Sequence, residues 1–176
     1  PQEEDSPLDF PQPTIVETRQ EEPSPLSDPL QASPLASEWK DQPIVIEPGT
    51  TIYGMVLQAY GEYGALALDL LKEFNPHIQD LDVIEVGETL VLPPLTRETL
   101  LRKQPDGSYH LIPASFHTAE QAQVLRQVIR RQGFIAETIS RRVSGRLVLY
   151  RVEITGLQDS ETINRAWDVA RSLKTF

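Results

Sequence analysis

Residues able to do chemistry are few in this chain and poorly spaced for catalysis. Its three histidines, His77, His110 and His117, lack the short separations of a metal-ligand set, and there is no cysteine to join them. Asp80 and Asp82 sit in one predicted loop with no second carboxylate placed opposite them for acid–base work. No Ser/His/Asp set, phosphate-binding glycine loop or dinucleotide fingerprint is present. The expectation is a protein that is not an enzyme and uses no cofactor and no metal. What remains is recognition chemistry, with an arginine group at Arg141, Arg142 and Arg146. The arginines either meet an anionic ligand or form a solvated hairpin tip.

Charge and composition divide the chain that must position these groups. The net charge of −10 is unevenly spread: −8 over residues 1–43, −7 over 44–95 and +5 over 96–176. Nine of the 15 prolines fall in the first 43 residues, among Glu, Asp, Ser and Gln. Such a stretch buries too little apolar surface to offset its ordering entropy, so residues 1–42 read as a disordered Pro/acidic linker. Its Pro-Leu doublets at Pro7-Leu8, Pro25-Leu26, Pro29-Leu30 and Pro34-Leu35 suit either a spacer or docking motifs. No run of 18 apolar residues exists, which predicts no membrane span within this chain. The chain starts at Pro1 and has one methionine, Met55, so it reads as a piece of a longer protein whose signal or anchor lies elsewhere.

Residues 43–95 predict a small βααβ unit. Ile44–Glu47 reads as a strand ended by Pro48-Gly49, and Thr51 can cap the helix that follows. Ile52, Met55, Val56 and Ala59 fall on one helical face. A second helix over about 65–74 ends at Asn75-Pro76, since proline restricts the residue before it. A second strand follows over Thr89–Leu92. The ordered pieces Gly49-Thr50-Thr51-Ile52, Asn75-Pro76 and Val86-Gly87-Glu88-Thr89-Leu90-Val91-Leu92-Pro93 resemble the LysM family, with Thr50 standing where that family usually has Asp. The resemblance implies binding of N-acetylglucosamine polymers in a shallow groove, with Gly49, Thr50, Thr51, Ile52 and Tyr53 on one wall and Asn75, Pro76, His77 and Ile78 on the other. Ile52 or Ile78 would pack an acetyl methyl. Each of these residues also has a purely structural reading: Gly49 allows a turn, Ile52 belongs to the core, and Asn75 caps a helix. The acidic charge argues against anionic polymers and nucleic acid as ligands.

A linker is expected over 96–107, then a second unit over 108–176 with the order βαββα. Its pieces are a strand at Tyr109–Phe116, a helix capped by Thr118 with Gln121 and stopped by Gly133, strands at Phe134–Ile139 and Arg146–Thr155, and a last helix capped by Asp159 or Ser160. An antiparallel sheet with helices on one face is the natural packing, in the ferredoxin-like or RNP-like manner, with a fourth strand missing. Ala114-Ser115-Phe116, Ala122, Leu125, Gln132-Gly133-Phe134 and Tyr150-Arg151-Val152 resemble the SPOR family. That family binds peptidoglycan stripped of stem peptides on the open face of its sheet. The resemblance implies a glycan face here, and Tyr109 and Arg151 are the strand residues expected to be exposed on it, a lone arginine being costly to bury. An RNA reading of the basic unit meets a sequence without the aromatic RNP pattern.

The fold class expected is therefore α+β: a LysM-like βααβ module and a SPOR-like βαββα(β) module behind a disordered tail. The expected function is non-catalytic binding of peptidoglycan glycan strands in a bacterial cell envelope or periplasm, two weak sites on one glycan raising the effective affinity. The rival is a scaffold of the same folds that contacts envelope proteins, with the acidic first module docking the basic second one.

Overall fold

The structure is a computed structural model and describes residues 43–173. The predicted tail, residues 1–42, lies outside the described residues.

Strand β1 (Pro43–Val45) leads through a turn at Gly49 into helix α1 (Ile52–Tyr60). Thr51 caps α1 as its spacing predicts, its hydroxyl accepting the Gly54 N–H at 3.1 Å. Gly61 closes the helix at φ 78°, where a side chain would be strained. Helix α2 (Ala65–Phe74) ends at Asn75, and β2 (Thr89–Val91) returns antiparallel to β1 with Val45 opposite Thr89. The expected βααβ order is thus present, with strands of three residues each.

The expected linker is structured. Helix α3 (Arg97–Leu100) runs directly into strand β3 (Leu101–Lys103). Strand β4 (Tyr109–Phe116), helix α4 (Ala119–Arg131), strands β5 (Ile135–Arg142) and β6 (Val148–Leu157) and helix α5 (Ser160–Ser172) follow. The four strands form one antiparallel sheet in the order β3-β4-β6-β5. The fourth strand therefore exists and precedes the βαββα order, supplied by residues taken as linker. Strand β5 also reaches further than expected, which moves Arg141 from a turn into the sheet.

Helices cover both faces of this sheet, and not one as expected. Alternation along the strands puts Ala114, Val152, Ile154 and Ala136 on one face and Ser115, Arg151 and Glu153 on the other. The first face packs on α4 and α5 through Ala122, Leu125, Ile129, Ile163, Ala166 and Ala170. The second is covered by α2, whose Leu66 and Leu70 join the same buried core. Burial of each leucine contributes about 1.5–3 kcal/mol.

The exchange runs the other way at the hairpin between β5 and β6. Val143 and Leu149 are buried in the core of the first half, beside Ile78, Leu81 and Leu90. The two halves are consequently not beads on a string; each lends side chains to the other's core. None of the helices among the described residues is long and apolar enough to cross a membrane.

Candidate functional site

Helix α2 decides which surfaces are available. Leu66, Asp69, Leu70 and Glu73 are spaced i, i+3, i+4 and i+7, so they form one stripe, and this stripe meets the sheet. Asp69 is fully buried. Its Oδ2 accepts from Arg151 Nε at 2.6 Å and from the Ser115 hydroxyl at 2.5 Å, and its Oδ1 lies 2.8 Å from Arg141 Nε. Glu73, one turn on, pairs with Arg151 Nη2 at 2.5 Å and Arg102 Nη2 at 3.0 Å. Arg102 also lies over the Phe74 ring, 4.9 Å from its centroid. At the far side of Arg151, Glu153 takes a contact from His110 Nδ1 at 3.1 Å.

Arg151, expected on an exposed glycan face, is 3% exposed. Burial works against its charge, but the hydrogen bond and attraction of Asp69, then those of Glu73, outweigh it and raise its pKa above the ordinary arginine value. The cost of burying the arginine is offset, because it is not alone. Tyr109 is half-buried and packs on the sheet core. The sheet face beneath α2 is therefore closed to a ligand at Arg151.

The first half presents a different picture. Of its two predicted groove walls, the first leaves the β1–β2 ribbon at the Val45–Thr89 end, and the second runs along β2 from Asn75 at Val91 to His77 at Thr89. The β1 end is fixed by Ile46 N–H to Glu88 O at 2.8 Å and Gly87 N–H to Ile46 O at 2.9 Å, and Gly49–Tyr53 leave from there. The other segment is tied to β2: His77 Nε2 lies 2.8 Å from Thr89 O, and the Asn75 amide both donates to Val91 O at 2.8 Å and accepts from Val91 N at 2.7 Å. Gly49, Thr51, Tyr53, Pro76 and His77 are exposed and Thr50 is half-buried. Gly49 has φ 86°, a turn conformation that favours glycine.

Three of the nine groove residues point inward. Ile52 and Ile78 lie in the core, Ile78 at 1% exposure, so neither is free to pack an acetyl methyl. Asn75 is fully buried and spends its amide on Leu71 O and on both backbone groups of Val91. The reason is the size of the unit: a two-helix core this small needs every apolar side chain near its loops.

Sequence reasoning missed three features. Asp69 and Glu73 were hidden inside an apparently ordinary amphipathic helix; the signal was the run Ala65-Leu66-Ala67-Leu68-Asp69-Leu70-Leu71, apolar nearly all round, as a helix buried on two sides must be. Asp80 and Asp82, dismissed as a lone acidic pair, grip the β5–β6 hairpin: Asp80 Oδ2 accepts from Gly145 N–H at 2.8 Å and Asp82 Oδ2 from the Ser144 hydroxyl at 2.8 Å. Tyr63 lies against Tyr53, with ring centroids 4.9 Å apart and planes tilted by 49°. Of the hairpin arginines, Arg142 and Arg146 are exposed, whereas Arg141 serves the buried ion cluster. No group of three or more His, Asp or Glu side chains suited to a metal ion occurs among the described residues. No protein-family model matches the sequence, and neither a curated protein nor a solved structure matches it.

Proposed function

We propose that the chain is a non-catalytic glycan-binding unit of a bacterial cell envelope, in which the LysM-like half holds the site and the SPOR-like half is its structural partner. The observation that carries this reading is the anchoring of the partly exposed segment Gly49–Tyr53 and of the exposed pair Pro76-His77 at the Val45–Thr89 end of the β1–β2 ribbon. Backbone amides at such loop ends suit the N-acetyl groups of a neutral sugar chain, and the acidic surroundings disfavour anionic polymers. The ligand proposed is an N-acetylglucosamine-containing strand of peptidoglycan.

A second reading is favoured by one specific observation: α2 fills the sheet face with buried acid–arginine pairs. In that reading the fused halves form a scaffold for protein contacts in the envelope, and neither half binds glycan.

Co-sedimentation with insoluble peptidoglycan separates the two. The variants must spare the core, so Ile52 and Ile78 are unsuitable; Thr50→Trp with His77→Ala blocks the open segments. Retention of wild type and loss of the double variant support the glycan site, with equal retention on intact and stem-peptide-stripped material because the sheet face is closed. Failure of the wild type to sediment at high protein concentration overturns it in favour of the scaffold.

A further inference from the structure

Tyr53 and Tyr63 are 57% and 40% exposed, yet they are not scattered surface residues. Their ring centroids lie 4.9 Å apart with planes tilted by 49°, so the pair opens as a wedge and not as a closed stack. Tyr53 stands in the first turn of α1, and Tyr63 in the short connection between Gly61 and Gly64. The Tyr63 hydroxyl is harder to ionise than usual, first because it is partly buried and then because the Asp82 carboxylate and Tyr53 lie nearby. Asp82 is held in place by the Ser144 hydroxyl on its Oδ2, while its own N–H bonds Asp80 Oδ1 at 2.8 Å. Three segments thus bring two aromatic rings and one carboxylate together, and the third is fixed by the hairpin of the other half.

We propose that Tyr53, Tyr63 and Asp82 form a sugar subsite that takes one pyranose ring of the N-acetylglucosamine chain. The electron-rich ring faces attract the polarised C–H groups of a pyranose. A carboxylate has room for several donors, so Asp82 can accept a sugar hydroxyl beside its bond from Ser144. The subsite deepens the glycan reading and rests on it. It also gives the second half a part in recognition, through the loop that it holds.

Calorimetric titration of the full chain with the N-acetylglucosamine hexamer tests this. Tyr63→Ala is expected to weaken binding about tenfold, the scale of losing one aromatic stacking partner. Tyr63→Phe should keep wild-type affinity, because stacking does not need the hydroxyl, and Asp82→Asn should weaken binding less than Tyr63→Ala does. Unchanged melting temperature in Tyr63→Ala secures the comparison. Equal affinity of Tyr63→Ala and wild type overturns the subsite while the glycan reading stands. Absence of heat with the wild type at millimolar hexamer overturns both. Tighter, Tyr63-dependent binding of tetralysine than of the hexamer overturns the sugar assignment in favour of a cationic peptide.

Discussion

The sheet face beneath α2 and the loop end of the β1–β2 ribbon carry similar inventories of polar and aromatic groups, but they are put to opposite uses. On the sheet, Arg151, Arg141, Ser115 and His110 are matched by Asp69, Glu73 and Glu153 at contact distance and largely removed from water. At the ribbon end, Tyr53, Pro76 and His77 stay exposed, and the groups that are matched there, Asn75 and His77, are matched only to backbone. Charge that finds its complement inside the chain assembles the chain. Groups left facing water are the ones available to a ligand.

The largest test of this contrast is Asp69→Ala. It strands Arg151, which sits almost entirely out of solvent, and removes the acceptor of Ser115. Loss of one member of a buried ion pair costs about 3–5 kcal/mol. Urea denaturation should show that loss as a drop in midpoint. The double variant Asp69→Leu with Arg151→Met should recover part of it, since an apolar replacement removes both desolvation costs. A single-variant loss below about 1 kcal/mol would mean the face is not sealed as described. Next comes Ser144→Ala, expected to cost about 1–3 kcal/mol by leaving Asp82 without its hydroxyl donor and two hairpin amides without their acceptor. Hydrogen exchange in residues 80–88 should quicken in that variant, while the sheet stays protected. Faster exchange across β4 and β6 instead would show that the hairpin holds the sheet and not the loop.

Much of this architecture is legible in the sequence, but not its closure. The βααβ half follows from Thr51, the i, i+3, i+4, i+7 row of α1 and the Asn75-Pro76 stop, all local signals. The βαββα order follows from Thr118, Gly133 and the alternation of β6 in the same way. Strand β3 is three residues, two of them cationic, with no alternation to announce it; the hairpin signal Asp106-Gly107 before β4 was its only mark. The Asp69–Arg151 pair joins residues 82 positions apart, and period-two reasoning gives two faces for β6 without saying what covers each. At the candidate site, motif order pointed to the segments Gly49–Tyr53 and Asn75–Ile78. It could not show that Ile52, Asn75 and Ile78 turn inward, because side-chain direction within a short loop depends on the core it closes. Tyr63 went unnoticed because the connection between helices gave no reason to pair it with Tyr53.

The smallest effect sharpens the same contrast at the back of the first half. Tyr60, at the end of α1, donates its hydroxyl to Pro93 O at 2.6 Å, where the chain leaves β2 for the sheet. Burial raises its pKa well above the ordinary value of 10.0. A phenol whose folded pKa is raised favours the folded state fully below its unfolded value, and that contribution is lost as pH climbs through about 10 towards the folded value. The wild type should therefore lose stability on the alkaline side above pH 10, a window that Tyr60 shares with Tyr63 and in which Arg151 keeps its charge. Tyr60→Phe should cost about 0.5–1.5 kcal/mol at neutral pH, the net worth of one hydrogen bond, and should flatten the alkaline loss. Thermal melts of both proteins between pH 7 and pH 11 read the two effects together. Parallel curves would assign the alkaline limb to another tyrosine and leave the Tyr60–Pro93 bond as a packing contact only. Converging curves would show that this hydroxyl fastens the first half to the chain entering the sheet.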